Sequence, residues 1–249
     1  MTDTPRDLTK PIGSPGLPAY AGRVQDEYDI RLRGDRLLKT YTEMGNDPTI
    51  RSFLFAFDVL ARAAGHRIEP ADESEPAKEI ADFVDDALND MDGAWSDTLS
   101  EVLTCLQYGF SLFELVYKRR DDGRIGWARW APRAQETVYE WQWDDDWSMT
   151  GIVQLAPPGY QRVEIPAERL LHFRVQPRKQ NPMGNSLLRA AYDPWYFTKH
   201  IQKIEAIGIE RDLAGLPVVG VPEATYGDAA QRTAWLDLGA SLRRDEQAS

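Results

Sequence analysis

Residues 109–132 read GFSLFELVYKRRDDGRIGWARWAP, and the hydrophobic period of the chain changes there. FSLFELVYKRR and RIGWARWAP flank the acidic, glycine-ended DDG, which predicts two strands joined by a tight turn. TVYEWQW, DDD and WSMTGIVQL repeat the pattern over residues 137–155. PPGYQRVEIP marks a further turn, and Glu168–Val175 is the next strand, so a tryptophan-dense block of about five strands is expected.

Upstream the period is helical. A short amphipathic stretch is expected at Arg31–Tyr41. Asn46 or Asp47 then caps a helix, with Pro48 in its first turn, where a missing N–H costs nothing. Ile50, Phe53, Leu54, Phe57, Leu60 and Ala64 recur at three- and four-residue steps, and Gly65 ends the run. His66–Glu69 reads as a short strand. A second helix from about Pro76 places Ile80, Phe83, Val84, Ala87, Leu88 and Met91 inward, opposite Asp82, Asp85, Asp86 and Asp90. A third runs from Trp95 with Leu99, Val102, Leu103 and Leu106 on one side, closed by Gly109. Downstream of the strands, a long helix is expected from Ser186 to Ala214, roughly 40 Å at 1.5 Å per residue. GLPVVGVPE (215–223) carries a buried-strand signal, and an amphipathic helix with Ala230, Trp235, Leu236 and Leu242 ends the chain. The fold class is α+β.

The composition is that of a globular chain: 249 residues, 42 % hydrophobic and 28 % charged, with no apolar run near the roughly 20 residues of a membrane span. Residues 1–25, rich in Pro, Gly and small polar groups and without a signal-peptide core, read as a flexible arm, and the protein as soluble and intracellular. The single cysteine, Cys105, excludes an internal disulfide framework and a cysteine-based zinc site. A net charge of −11 argues against a protein that grips phosphates, and suits a surface that DNA must slide past.

The residues carry little catalytic pattern. Gly123 and Gly126 stand in no phosphate-binding loop, and Ser111 in no nucleophile elbow. Asp144, Asp145 and Asp146 read as a solvated hairpin tip ahead of a cation site, and Cys105 as a buried, inert thiol. His172, between Leu171 and Phe173, reads as a packed strand residue. Trp127, Trp130, Trp141, Trp143 and Trp147 are expected in the core, the alternative being a face that stacks a carbohydrate or another ligand. An enzyme whose carboxylates meet only in the fold is the remaining reading.

An ordered string of motifs stands above this background. Met44-x-x-Asp47-Pro48-x-Ile50 opens the first long helix, and Gly109-Phe110-Ser111-x-Phe113-Glu114 follows the third. Gly184-x-Ser186-Leu187-Leu188-Arg189-x-Ala191-Tyr192-x-x-Trp195 and Glu210-Arg211-x-x-x-Gly215-x-Pro217-x-x-Gly220 complete it. In this order over roughly residues 40–223, the chain resembles the portal proteins of tailed bacteriophages, especially the Mu-like branch. The resemblance implies a homo-oligomeric ring, usually of about twelve copies, at one capsid vertex of the virion, assembled in the host cytoplasm. Double-stranded DNA would pass through its channel. A terminase motor, the major capsid protein and scaffold, and a head–tail adaptor would be its partners, with no membrane, cofactor, metal or catalytic residue.

By position, 26–183 would be a wing, 184–215 the first stem helix and 216–249 the start of a clip. The rest of the clip, the second stem helix, the channel loop and the crown have no counterpart, so a fragment or a degenerate or split member is expected. On the stem helix Tyr192, Trp195, Tyr196, Ile201, Ile204, Ile207 and Arg211 are the expected subunit interface. Lys199, Lys203 and Glu210 are candidate channel-facing positions, and Val218, Val219, Trp235, Arg243 and Arg244 candidate contacts for the motor or adaptor. The residues lend the ring modest independent support, since a helix apolar on more than one side needs more than one neighbour.

Overall fold

In the computed structural model the chain is described over residues 13–214, 220–223 and 227–241. It enters through a small hairpin, β1 (Ala19–Tyr20) and β2 (Arg23–Val24). Asp29 then caps a 3₁₀ turn at Ile30–Leu32, and Gly34 takes a positive φ of 55°. This turn and the glycine displace the first helix from the expected 31–41 to α1 (Asp35–Gly45). Helix α2 (Pro48–Ala64) starts as read: the Asp47 carboxylate accepts from the N–H groups of Thr49 and Ile50, at 3.0 and 3.3 Å, and Gly65 ends it.

The segment His66–Glu69 forms no strand. It finds no pairing partner, and His66 instead packs on the Trp95 ring, 4.8 Å between centroids. Helix α3 (Glu75–Asn89), capped by Ser74, turns Ala81, Ala87 and Leu88 inward, while Ile80 is exposed rather than buried. Helix α4 (Trp95–Tyr108) ends where the Gly109 N–H donates to the Cys105 carbonyl at 2.7 Å, with Gly109 left-handed at φ 95°.

The strand block has six members. β3 (Phe110–Arg119) pairs antiparallel with β4 (Ile125–Arg133), as the 109–132 reading requires. β5 (Val138–Trp143) pairs with β6 (Met149–Ala156), which pairs with β7 (Gln161–Pro166). β8 (Leu170–Arg174) returns to the other side of β3. The sheets run β4-β3-β8 and β5-β6-β7. The sixth strand, β7, lies in a stretch whose prolines and glycine read as a turn; its edge position tolerates Pro166.

Alternation along β3 places the layers. Phe110 and Leu112 meet Trp141, Ile152 and Ile165 of the second sheet in a dry cluster. Ser111 and Phe113 face the other way: the Ser111 hydroxyl donates to the Val102 carbonyl of α4 at 2.9 Å, and Phe113 packs edge-on against Trp130 and Phe173. The first sheet therefore lies between helices and the second sheet. Tryptophans pack across these layers, with Trp95 of α4 and Trp127 and Trp130 of β4 edge-to-face and Trp141 of β5 stacked on His172.

The family-like motifs build one backbone crossing at the end of this body. The Gly109 carbonyl accepts from the Val175 N–H, and the Val175 carbonyl from the Asn185 N–H, at 2.9 and 2.8 Å. A Cβ on Gly184, whose φ is 59°, would overlap the Gly109 carbonyl, and one on Gly109 would overlap the Met183 carbonyl. Ser186 donates to the Gln107 carbonyl and caps a 3₁₀ turn at Leu187–Arg189. Arg189 closes a two-point ion pair on Glu27, at 2.6 and 3.1 Å, across 162 residues of sequence. Burial works against the Glu27 charge, but Arg189 and two backbone N–H groups outweigh it and hold the carboxyl below its usual range. Tyr192, 2 % exposed, completes the crossing with the Arg31 guanidinium over its ring.

Two measurements check this body. Gly184→Ala forces a methyl into the Gly109 carbonyl at a left-handed φ, so urea unfolding should show a loss of more than about 2 kcal/mol. A change below about 0.5 kcal/mol would contradict the crossing.

His172 gives a pH signature. Burial, and then the Arg174 charge, push its imidazolium down to about 4, although the Pro182 carbonyl 2.8 Å from Nε2 pulls the other way. A carbonyl only accepts, so Nε2 carries the proton of the neutral ring. With an unfolded value near 6.5, the unfolded chain holds the extra proton between pH 6.5 and 4, and stability falls as pH falls through that window, by about 3 kcal/mol in all. His172→Gln should flatten the loss between pH 7 and 5; an unchanged slope would refute the assignment.

Candidate functional site

The chain forms two compact units, Met1–Tyr192 and Asp193–Ser249. Helix α5 (Tyr192–Ala214) starts at the last residue of the first. It is about 35 Å long at 1.5 Å per residue, and begins at Tyr192 rather than Ser186 because the 3₁₀ turn capped by Ser186 intervenes.

Helical geometry sorts the α5 side chains into faces. Phe197, Ile201, Ile204 and Gly208, at steps of four, three and four, share one. Lys199, Lys203 and Glu210 share the opposite one, so the three candidate channel positions are brought together. Tyr196, His200 and Ile207 line one flank, and Trp195, Gln202 and Ile209 the other. Phe197, Ile201, Ile204, Ile207 and Ile209 are between 43 % and 68 % exposed. Apolar surface thus appears on three sides of a helix that presents most of it to water, the signature of an interaction element.

Local contacts order the first turns: the Lys199 ammonium lies 4.7 Å from the centre of the Trp195 ring, and the Tyr196 and His200 rings are 4.2 Å apart. Of the residues expected at the subunit interface, Trp195, Tyr196, Ile201, Ile204 and Ile207 lie on this surface. Tyr192 does not; it is buried in the first unit beneath Arg31, so its ring is core rather than contact surface.

The side chain of Arg211, with Val218, Val219, Arg243 and Arg244, falls outside the described residues, as does most of the strand expected at 215–223. Trp235 is half-buried on α6 (Ala229–Ser241), beside exposed Leu236 and Leu238. Trp235 and Leu238, three apart, lie on one side of α6 and Leu236 lies off it, so these residues form no single narrow stripe; Leu242 falls outside the described residues.

Sequence reasoning missed two features. One is the Glu27–Arg189 pair, whose only local signal is an arginine inside a motif. The other is the outer surface of α2: none of its residues is buried, and Phe53, Phe55, Phe57, Val59 and Leu60 stand 40–68 % exposed. Only Ile50, Leu54, Asp58 and Ala61 turn inward; of the residues recurring at helical steps, Ile50 and Leu54 face the body and Phe53, Phe57, Leu60 and Ala64 are surface.

The remaining chemistry-bearing residues are engaged structurally. Cys105 is buried, and burial pushes its thiol up, away from nucleophilic reactivity. The Asp144 carboxylate accepts from the N–H groups of Asp146 and Ser148, at 3.0 and 2.8 Å, fastening the β5–β6 turn. Among the described residues no group of three or more His, Cys, Asp or Glu is arranged to hold a metal ion, and no helix is long and apolar enough to cross a membrane. A cavity of about 600 Å³ opens in the first unit, with Arg23, Tyr139, Trp141, Tyr160 and Arg178 on its wall. Trp141 there is 5 % exposed, so the tryptophan-rich strands offer no open stacking face to a sugar at that point.

No curated protein matches the chain. A family model for the portal protein of Mu bacteriophage matches residues 38–246, more than four fifths of its length. The match runs from within α1 to beyond α6 and takes in the backbone crossing and all of α5. The chain belongs to the portal protein family of Mu bacteriophage.

Proposed function

We propose that this chain is a structural subunit of a closed ring at one capsid vertex, through which double-stranded DNA passes during packaging and ejection. The surface of α5 carries this reading. A helix with exposed isoleucines on three sides is satisfied by two neighbours, and a head-to-tail ring gives each copy two neighbours through different faces. Residues 26–183 act as the wing, 184–215 as the first stem helix and 216–249 as the opening of the clip. About twelve copies close the ring. The terminase motor supplies the work of packaging, the subunit itself catalysing nothing. Major capsid protein and scaffold surround the ring, and a head–tail adaptor closes it in the virion.

The mechanism follows from charge. A conduit must not pin phosphates, because each cationic contact strengthens nonspecific DNA binding in a salt-dependent way. The α5 face that carries Lys199, Lys203 and Glu210 mixes signs, and each copy brings a net charge of −11, so the assembled ring repels a duplex and leaves it free to slide. Negative-stain imaging of the purified protein should show closed rings with a central opening, and the same particles should retain duplex DNA on a filter at no more than background at low salt. Monomers at every concentration would overturn the ring, and tight retention of DNA would overturn the conduit.

A further inference from the structure

The apolar stripe on α2 has no place in the reading above. Phe53, Phe57, Leu60 and Ala64 follow one another at steps of four, three and four, with the first three 49–68 % exposed. Phe197, Ile201, Ile204 and Gly208 on α5 follow the same steps, with the first three 54–68 % exposed. The α2 stripe is two phenylalanines, a leucine and an alanine, the α5 stripe a phenylalanine, two isoleucines and a glycine, each over about 16 Å of helix. The small ends leave room for close approach, and nothing lies within 4 Å of where a Cβ on Gly208 would stand.

We infer that the α2 stripe of one copy packs on the α5 stripe of its neighbour, as a second contact of the ring. This rests on the ring proposed above. A heterologous ring requires two different surfaces that fit each other, whereas α2 on α2 would be self-complementary and would stop at a dimer. Matched four-residue steps let the ridges of one helix enter the grooves of the other. The stripes together would cover roughly 700 Å², given the 150–250 Å² that an aromatic side chain buries. That is below the roughly 1,200 Å² of a stable stand-alone interface. The contact is therefore too small to hold a pair and gains its strength from repetition around a closed ring. The mixed charges of the opposite α5 face stay clear of it and remain available to the channel.

Disulfide trapping tests the contact. Leu60→Cys and Ile204→Cys alter exposed positions, and the native Cys105 is buried, so wild type is a clean control. Mild oxidation of the double variant should give a ladder of covalent multiples on a non-reducing gel, at least five-fold above either single variant. A dimer from Leu60→Cys alone would show α2 meeting α2 and overturn the contact. Rings seen by imaging without a ladder would overturn it while leaving the proposed function standing. Neither rings nor ladder would overturn both.

Discussion

Water cannot satisfy isoleucine and phenylalanine on three sides of a 35 Å helix. Burying exposed apolar surface is worth about 25 cal/mol per Å², and α5 carries five large apolar side chains at roughly half exposure. One partner helix covers one stripe. Two flanking copies would cover the apolar face and its flanks between them, while the opposite face carries Lys199, Lys203 and Glu210. The proposed ring and channel both rest on that constraint.

The first unit prepares the start of this helix. Its middle layer, β4-β3-β8, is packed on both faces, by α4 on one side and the second sheet on the other, so β3 is among the most buried segments described. From its first residues the backbone crosses the 175–186 loop, where Gly109 and Gly184 leave no room for a side chain. The Ser186 cap and the Glu27–Arg189 pair then fix the chain up to Tyr192. The stretch of the portal motifs from Gly184 to Tyr192 is thus positional: its residues hold the chain in place.

Much of this was legible in the residues. Asp47-Pro48 and Gly65 delimit α2 because capping and positive φ are local properties, and the period change at Gly109 marks the strands for the same reason. What failed was non-local. The stripe of α2 has the spacing of a core face, but burial depends on what else packs there, and α1 and α4 cover only the Leu54–Asp58–Ala61 side. His66–Glu69 has strand composition without a strand beside it, and β7 hides among turn-forming residues because its pairing with β6 is a tertiary fact. The start of α5 moved to Tyr192 because Ser186 caps a 3₁₀ turn, which a helical period does not distinguish from a first α-turn. On the site itself, the sharing of one face by Lys199, Lys203 and Glu210 follows from spacing alone, whereas the burial of Tyr192 needed Arg31 and Glu27, more than 150 residues away in sequence.

Amide hydrogen exchange across a concentration series tests the central claim most directly, since it reads α5 and assembly together. Protection of residues 197–210 should rise at least ten-fold as the protein associates, while the first half of β3, already buried within one copy, stays unchanged. Equal protection of 197–210 in dilute monomer and concentrated protein would contradict the account, because the helix would then need no neighbour.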